Sequence, residues 1–223
     1  MPVFSHQFQA LRGTAGDAGL ELARTIEAVH RRTDGTFVVA PQTPDIRLLA
    51  EGTSLSVVAQ SIDAVEPDRG NGQVAIRAVA AAGADGVVIN HPESPDTLAD
   101  VEAFVAGCAS FDLESIVCVD SVEVGRAVLT LDPDCLLFEA PSDVATGRAM
   151  TRQHPERVEA FVSMVESESP RTRVLLGGGI SSAADVGDAF DLGADAAGAA
   201  SAFVDAADPE AWLSSIAAAL VAE

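Results

Sequence analysis

The sequence predicts an α/β protein, a single (β/α)8 barrel that spans residues 1–223 as one domain. Short β-branched runs alternate with longer Ala-rich amphipathic stretches, which is the pattern of successive βα units around a parallel sheet. Eight such units follow one another without a low-complexity linker, and 223 residues can bury one large core. An open doubly wound sheet is the alternative, although the Gly-rich turn that it needs after its first strand is not seen.

Each predicted strand is a short apolar run that a polar connection follows. In chain order the strands are predicted at residues 3–8, 37–40, 57–60, 86–90, 115–118, 135–139, 173–176 and, more weakly, near 195–199. Capping residues predict where the intervening helices begin. These caps are Thr14, Thr43, Ser94, Ser121, Ser181 and Asp208. Gly83 and Gly193 each stand in a Gly-Ala-Asp repeat just before a strand, where Gly is expected to end a helix in the left-handed conformation.

The charge composition excludes several kinds of partner. The chain has 34 acidic residues and 13 basic ones, no Lys, and a net charge of -21. Nucleic acids and anionic membranes bind basic patches, which this sequence lacks, so neither is expected as a partner. We interpret the composition as a halophilic surface, on which concentrated salt screens self-repulsion. An ordinary acidic protein is the alternative, but it leaves the loss of every Lys unexplained.

The cysteines and the chain start indicate the compartment. Cys108, Cys118 and Cys135 show no CxxC spacing, so neither a disulfide framework nor a zinc site is predicted. No charged leader followed by an apolar segment is present, and no apolar run is long enough to cross a bilayer. These features predict a cytoplasmic protein.

Two connections that follow strands are unusually long. One runs over residues 61–72, and the other over 140–147 or on to His154. In a barrel, the loops after the strands build the active face. Their length predicts a substrate contact, a lid or a subunit contact.

Two strand ends carry residues suited to proton transfer. His91 follows an apolar strand, with Asn90 and Glu93 beside it, and Glu139 ends another strand. The segment after Glu139 begins with Pro and ends with Gly, and such a loop can close over a carboxylate, exclude water and bring its pKa toward neutrality. Each residue also has a structural interpretation: a lone His is usually structural, and a strand-end Glu can simply pair with Arg.

A glycine-rich turn follows the seventh predicted strand. Gly177, Gly178 and Gly179 let the backbone approach an anion, and a helix start directly after them offers unpaired N–H groups. With Ser201 after the eighth strand, this arrangement matches the phosphate site of many barrels. A tight turn of the same sequence would need no ligand.

Five segments in order make the chain resemble the archaeal triosephosphate isomerases over nearly its whole length. They are Val-Ala-Pro-Gln at 39–42, Ala-Gln-Ser-Ile-Asp at 59–63, Ile-Asn-His-Pro-Glu at 89–93, Val-Cys at 117–118 and Gly-Gly-Gly-Ile-Ser at 177–181. The resemblance implies a TIM barrel and an isomerase that interconverts an aldose phosphate and a ketose phosphate, or a related hydroxy-carbonyl substrate. It implies no cofactor and no metal.

The resemblance also implies roles for individual residues. In that family a glutamate takes the proton and a neutral histidine polarises the carbonyl. The surroundings of the two groups adjust their pKa values to these roles. These roles fall on Glu139 and His91. The implied substrate-binding residues are Gln7, Gln9, Gly177, Gly178, Gly179, Ser181 and Ser201. Family members associate through the third loop, here residues 66–72, which implies a homo-oligomer.

The first strand departs from the family pattern. It ends in Asn-x-Lys in the family, whereas this chain has Gln7 and Gln9. Removing one electrostatic donor costs about 2.7–4 kcal/mol of transition-state stabilisation, so weaker or altered catalysis is expected. Arg12 and Arg148 are the nearby cations that could replace the lysine. Further departures are Pro92, Ser142, Asp143 and Ala202.

Two functions therefore compete. The first is an isomerase of this family with altered or weakened activity, which retention of Glu139 and His91 favours. The second is a non-catalytic barrel that binds an anionic metabolite or a protein partner, which the loss of the lysine favours. An aldolase or lyase reaction is a third hypothesis. Schiff-base chemistry is excluded, because the chain has no Lys.

Overall fold

Eight parallel strands close into a barrel in the computed structural model, which describes residues 3–9, 11–65, 69–140 and 149–221. Each strand pairs with the next along the chain, and the eighth pairs with the first. The strands are β1 (Val3–Gln7), β2 (Thr36–Ala40), β3 (Ser56–Ala59), β4 (Gly86–Ile89), β5 (Glu114–Val119), β6 (Cys135–Phe138), β7 (Arg173–Leu176) and β8 (Ala196–Ala199). The barrel prediction is confirmed, and closure excludes the open sheet.

Helices surround the barrel. They are α1 (Gly16–His30), α2 (Ile46–Gly52), α3 (Ile76–Ala81), α4 (Leu98–Ser110), α5 (Val122–Leu129), α6 (Met150–Gln153), α7 (Pro155–Glu168), α8 (Ala183–Asp191), α9 (Ser201–Val204) and α10 (Pro209–Leu220). A 3-10 turn, Thr43–Asp45, precedes α2. Over the ranges described, none of these helices combines the length and the apolar character that a membrane crossing requires.

The apolar residues form two layers, as the strand pattern requires. Inside the barrel a compact cluster consists of Ala40, Val58, Val88, Ile116, Cys118, Cys135, Leu137 and Leu175. The larger layer lies between strands and helices and holds most of the aromatic residues, including Phe138 stacked on Phe161 with ring centroids 4.1 Å apart. Because side chains alternate along each strand, β2 to β7 contribute residues to both layers.

A repeated aspartate ties neighbouring strands together at the amino end of the barrel. Each of these aspartates directly precedes an even-numbered strand and accepts a backbone N–H from the preceding odd-numbered strand. The pairs are Asp85 with Val57, Asp134 with Ser115, and Asp195 with Val174. Gly83 and Gly193, in the repeats before two of them, have φ values of 93° and 90°, which confirms their predicted helix-ending role.

The predicted helix caps were confirmed in part. Ser121 and Asp208 cap α5 and α10 as predicted. The other predictions were wrong by one to three residues, because several polar residues near each helix start compete for the cap: three caps lie after the predicted residue, and that of the 3-10 turn lies one residue before it. The N-cap positions of α1, the 3-10 turn, α4 and α8 are Ala15, Gln42, Thr97 and Ser182.

Both long connections open onto the carboxyl end of the barrel, because they follow β3 and β6. Residues 141–148 lie outside the described residues, so the predicted lid, its Ser142 and Asp143, and Arg148 are not characterised. Residues 66–68 of the predicted subunit-contact loop also lie outside the described part.

Candidate active site

One cavity at the carboxyl ends of the strands brings together every site residue that the sequence predicts. These residues come from the ends of β1, β4, β6 and β7 and from the start of α9, which is how a barrel assembles an active site from separate strands. The lining includes Gln7, Gln9, His91, Glu139, Gly177, Gly178, Gly179, Ser181 and Ser201.

Two of these residues form a close pair. His91 Nε2 lies 3.2 Å from Glu139 Oε1, which is hydrogen-bonding distance. Only 8% of His91 and 6% of Glu139 is exposed to solvent. Burial weakens screening, so the interaction between these two side chains is stronger than that of a surface pair.

The loop after β4 determines which nitrogen of His91 carries the proton. The backbone N–H of Glu93 donates a hydrogen bond to His91 Nδ1 over 3.2 Å. Since Nδ1 accepts this bond, the neutral imidazole carries its proton on Nε2, the nitrogen that faces Glu139. The hydrogen bond that His91 Nε2–H donates to Glu139 raises the pKa of His91, against the lowering effect of burial, and the negative charges of Glu139 and Glu93 add to the increase.

Asn90 shapes the turn that presents His91. Its φ is 60°, in the left-handed region that Asn tolerates better than most residues. The Asn90 N–H donates to Asp96 over 2.6 Å, and the Asp96 N–H donates back to the Asn90 side chain over 3.1 Å. The Asn90 amide also donates to the carbonyl of Cys118 in β5. The turn is therefore fixed to the neighbouring strand.

Two neighbours confine the Glu139 carboxylate. The Cys118 thiol lies 3.7 Å from Oε1 and can donate a weak hydrogen bond to it. Burial, together with the charge of Glu139, raises the pKa of Cys118, so the sulfur keeps its proton. On the other side, a Cβ at Gly177 would lie 2.5 Å from Glu139 Oε2. Only Gly fits at position 177, because a Cβ would clash with the Glu139 carboxylate.

The glycine turn supplies backbone donors to the same cavity. Gly178 and Gly179 have φ values of 73° and 76°, which side-chain-bearing residues adopt only with strain. Their N–H groups donate no backbone hydrogen bond to another described residue. Successive free N–H groups of this kind form a concave site for an anion.

Ser181 is held differently from the glycines. Its N–H and its hydroxyl both donate to Asp185 Oδ2, over 3.0 and 3.1 Å. Its carbonyl accepts a hydrogen bond of 3.0 Å from Trp212 Nε1. Asp185 was not predicted as a site residue, although the Ser-x-x-Asp spacing of a capping box marks it.

The position of the family lysine holds a neutral amide. Gln9 has a φ of 44°, and its Nε2 lies 3.4 Å from Glu93 Oε2. No Arg lines the cavity among the residues that the structure describes. The exposed Arg12 is not part of the described lining. An adjoining part of the mouth is lined by polar residues that were not predicted from the sequence, Gln60, Ser61 and Ser94.

The family assignment rests on a match along the chain as well as on this geometry. The family model described as triosephosphate isomerase matches residues 11–219. This chain belongs to the triosephosphate isomerase family. Members of the family are intramolecular oxidoreductases, so the isomerase prediction is confirmed at the level of enzyme class.

Curated triosephosphate isomerases of archaea show the same likeness. The enzyme of Methanocaldococcus jannaschii is 36% identical over 203 residues, which cover 91% of this chain and 93% of that protein. The enzyme of Methanobrevibacter smithii is 34% identical over 209 residues, or 94% of each chain. That of Methanosarcina barkeri is 36% identical over 203 residues, or 91% of each chain.

Proposed function

We propose that this protein interconverts glyceraldehyde 3-phosphate and dihydroxyacetone phosphate, or a related hydroxy-carbonyl pair. The observation that carries the proposal is the 3.2 Å contact between His91 Nε2 and Glu139 Oε1 in a cavity that a glycine turn also lines. A base, a hydrogen-bond donor and anion-binding N–H groups in one cavity suit a small substrate with a hydroxy-carbonyl head and an anionic tail.

The proposed chemistry is a proton transfer between adjacent carbons. Glu139 removes a proton from the carbon beside the carbonyl, and the electron pair of that C–H bond moves to the carbonyl oxygen to give an enediolate. His91 Nε2–H donates a hydrogen bond to this oxygen, where negative charge grows. The hydroxyl proton on the neighbouring oxygen then passes to the former carbonyl oxygen, and Glu139 returns its proton to the former carbonyl carbon, so no atom is gained or lost.

Gln9 limits the expected rate. A lysine at this position would place an ammonium group near the developing charge, whereas the Gln9 amide offers only a neutral donor beside Glu93. The loss of one such electrostatic contact lowers the rate by about 10² to 10³. We therefore propose an active but slow isomerase, or one whose preferred substrate needs no cation at this position.

A non-catalytic binding barrel is the second candidate. The observation that favours it is the lack of a cationic Arg side chain in the described lining of the cavity. Such a protein would bind a phosphorylated metabolite through the glycine turn without turning it over. Binding of substrate without detectable isomerisation would distinguish it from the enzyme.

We also propose a cytoplasmic, salt-adapted homo-oligomer. The net charge of -21 supports salt adaptation. An apolar groove beside the loop after β3, with Ile62, Val65, Ile76 and Phe104 in its lining, supports a subunit contact in that region. Light scattering in multimolar KCl is expected to give the mass of more than one chain, and dilution into low salt is expected to unfold the protein. A monomer, or a fold indifferent to salt, would contradict these proposals.

A coupled assay with glyceraldehyde 3-phosphate in multimolar KCl tests the activity. The Glu139→Gln variant removes the proposed base and nearly preserves its shape. Glu114→Gln is a matched control, because Glu114 is the first residue of β5, at the opposite end of the barrel. We expect turnover by the wild type and by Glu114→Gln, and a loss of about 10² to 10⁴ in Glu139→Gln. Equal rates in all three proteins would contradict the role of Glu139.

A further inference from the structure

Asp185 is a fully buried carboxylate just after the glycine turn, at the third position of α8. Its Oδ2 accepts four hydrogen bonds. The donors are the N–H and the hydroxyl of Ser181, at 3.0 and 3.1 Å, and the N–H and the hydroxyl of Ser182, both at 2.9 Å. The Asp185 N–H donates back to the Ser182 hydroxyl over 3.3 Å. One carboxylate thus fixes the last two residues before the helix.

An arginine from another helix neutralises this carboxylate. Arg152 in α6 donates to Asp185 Oδ1. A buried charge without a partner is strongly destabilising, so the pairing allows the carboxylate to stay ionised in the interior. Burial alone would raise the pKa of Asp185, but the hydrogen bonds from Ser181, Ser182 and Arg152 outweigh it and lower the pKa.

This network determines which groups remain for a substrate. A hydroxyl has one proton to donate, and those of Ser181 and Ser182 are donated to Asp185. Their N–H groups are donated to the same oxygen. The N–H groups of Gly178 and Gly179 stay free of backbone partners among the described residues. A substrate anion therefore has donors in the turn itself, and not in the two serines.

The turn needs an anchor, because two successive glycines are the most flexible residues that a chain can place there. Asp185 holds Ser181 on one side, and Trp212 of α10 holds its carbonyl on the other. Donors that are fixed before the ligand arrives bind it without an ordering penalty.

We propose that Asp185 is a positioning residue, which holds the Gly178–Gly179 turn in the geometry that binds the substrate anion, with Arg152 as its counter-charge. The proposal rests on the anion site of the proposed function, but not on turnover. Ser181 then acts through its contacts with Asp185 and Trp212 and does not touch the substrate.

Calorimetric titration with inorganic phosphate tests the proposal, with Asp134→Asn as the matched control. Asp134 also accepts the N–H and the hydroxyl of a serine, Ser115, over 2.9 and 2.7 Å, but at the amino end of the barrel. We expect Asp185→Asn to weaken phosphate binding about tenfold, as loss of a charged hydrogen-bond network does, and to raise KM with little change in kcat. Asp134→Asn is expected to lower the melting temperature and to leave both the phosphate affinity and KM unchanged.

A second pair of variants keeps the test valid if Asp185→Asn does not fold. Arg152→Gln leaves the four serine bonds but removes the counter-charge, and it is expected to weaken phosphate binding. Arg152→Lys keeps a positive charge and is expected to recover most of the phosphate affinity that Arg152→Gln loses. A purely structural role of Arg152 would not give this recovery. The proposal would be overturned if Asp185→Asn or Arg152→Gln bound phosphate as tightly as the wild type. It would also be overturned if Asp134→Asn lost as much phosphate affinity as Asp185→Asn. Phosphate binding that depends on Asp185 in a protein without turnover would support it and contradict the isomerase function.

Discussion

His91 Nε2 and Glu139 Oε1 lie 3.2 Å apart, in the cavity that the glycine turn also lines. The pair joins the ends of β4 and β6, and the Glu93 N–H fixes the imidazole tautomer that directs a proton toward the carboxylate. This arrangement has both groups that a proton transfer needs, a base and a donor to the developing oxyanion. No cation lines the cavity among the residues that the structure describes, and residue 9, where the resemblance places a lysine, is Gln.

The Gln9→Lys variant is expected to raise kcat/KM. The new ammonium would lie beside Glu93, whose carboxylate is 3.4 Å from the present amide, and near the developing negative charge. The increase is expected to be at least tenfold, which corresponds to about 1.4 kcal/mol of transition-state stabilisation. Gln9→Met, of similar length and without charge, serves as the control in the coupled assay. An unchanged rate in Gln9→Lys would show that another group already supplies the charge.

The pH profile of kcat/KM is expected to fall on the acid side at a pH above 6.5, the ordinary value for histidine. The hydrogen bond to Glu139 raises the pKa of His91, and the proposed mechanism needs the neutral imidazole. As the pH falls through the raised pKa, His91 becomes protonated and activity is lost. The His91→Gln variant keeps an N–H donor and is expected to lose this acid limb along with part of its rate. Activity that increases below pH 6.5 would identify the imidazolium as the active form.

Two glycine substitutions are expected to differ in outcome: one lowers kcat, and the other raises stability without changing kcat. A Cβ at Gly177 would lie 2.5 Å from Glu139 Oε2 and 2.9 Å from Leu137 Cδ1, so Gly177→Ala displaces the proposed base and lowers kcat. Gly187 lies within α8, where a Cβ would meet nothing within 4 Å. Gly187→Ala should raise the free energy of unfolding by about 0.5–1 kcal/mol with unchanged kcat. Thermal melts and the coupled assay measure both, and normal activity in Gly177→Ala would contradict the packing argument.

His6 is expected to make the protein sensitive to acid. His6 is 1% exposed and its ring stacks on Phe37. Neither ring nitrogen has a hydrogen-bond partner within the described part of the chain. Burial lowers its pKa from 6.5 to about 3, so the folded state holds it neutral while the unfolded state binds a proton below pH 6.5. Its contribution to stability is therefore complete above pH 6.5 and is lost as the pH falls toward 3, by up to about 1.4 kcal/mol per pH unit.

The His6→Leu variant tests this contribution. It removes two unsatisfied polar atoms and the proton linkage, so it is expected to be more stable than the wild type, increasingly so as the pH falls from 6.5. His154→Leu is the control, because His154 is about half exposed. Denaturant unfolding at several pH values measures the difference. A His6→Leu protein that loses stability with acid as steeply as the wild type would show that other groups dominate.

The fold was predictable because short, mostly apolar runs recur along the chain and alternate with longer Ala-rich amphipathic stretches. Strand bounds were predicted to within two residues, even for the weak run of small residues that forms β8. The helix starts were less predictable where several polar residues compete. Ser181 and Ser182 are adjacent, and only the spacing to Asp185 identifies Ser182 as the cap.

The site was predictable where a residue's position on a strand determines its place. Residues that directly follow parallel strands meet at one end of a barrel, so His91 and Glu139 could be placed together from the sequence. Contacts between helices could not be predicted in this way. The pairing of Arg152 with Asp185 joins α6 to α8, and no local pattern relates their two sequence positions.

Exchange of a substrate proton with solvent shows whether the protein removes a proton from the carbon beside the carbonyl, as the proposed isomerase mechanism requires. Dihydroxyacetone phosphate is incubated with the protein in D₂O and multimolar KCl, and deuterium at its hydroxymethyl carbon is followed by NMR, which detects proton removal even when net isomerisation is slow. We predict deuterium incorporation with the wild type and with Glu114→Gln, and none above background with Glu139→Gln. Absence of exchange with the wild type, while phosphate still binds at the glycine turn, would contradict the isomerase function and favour a binding barrel.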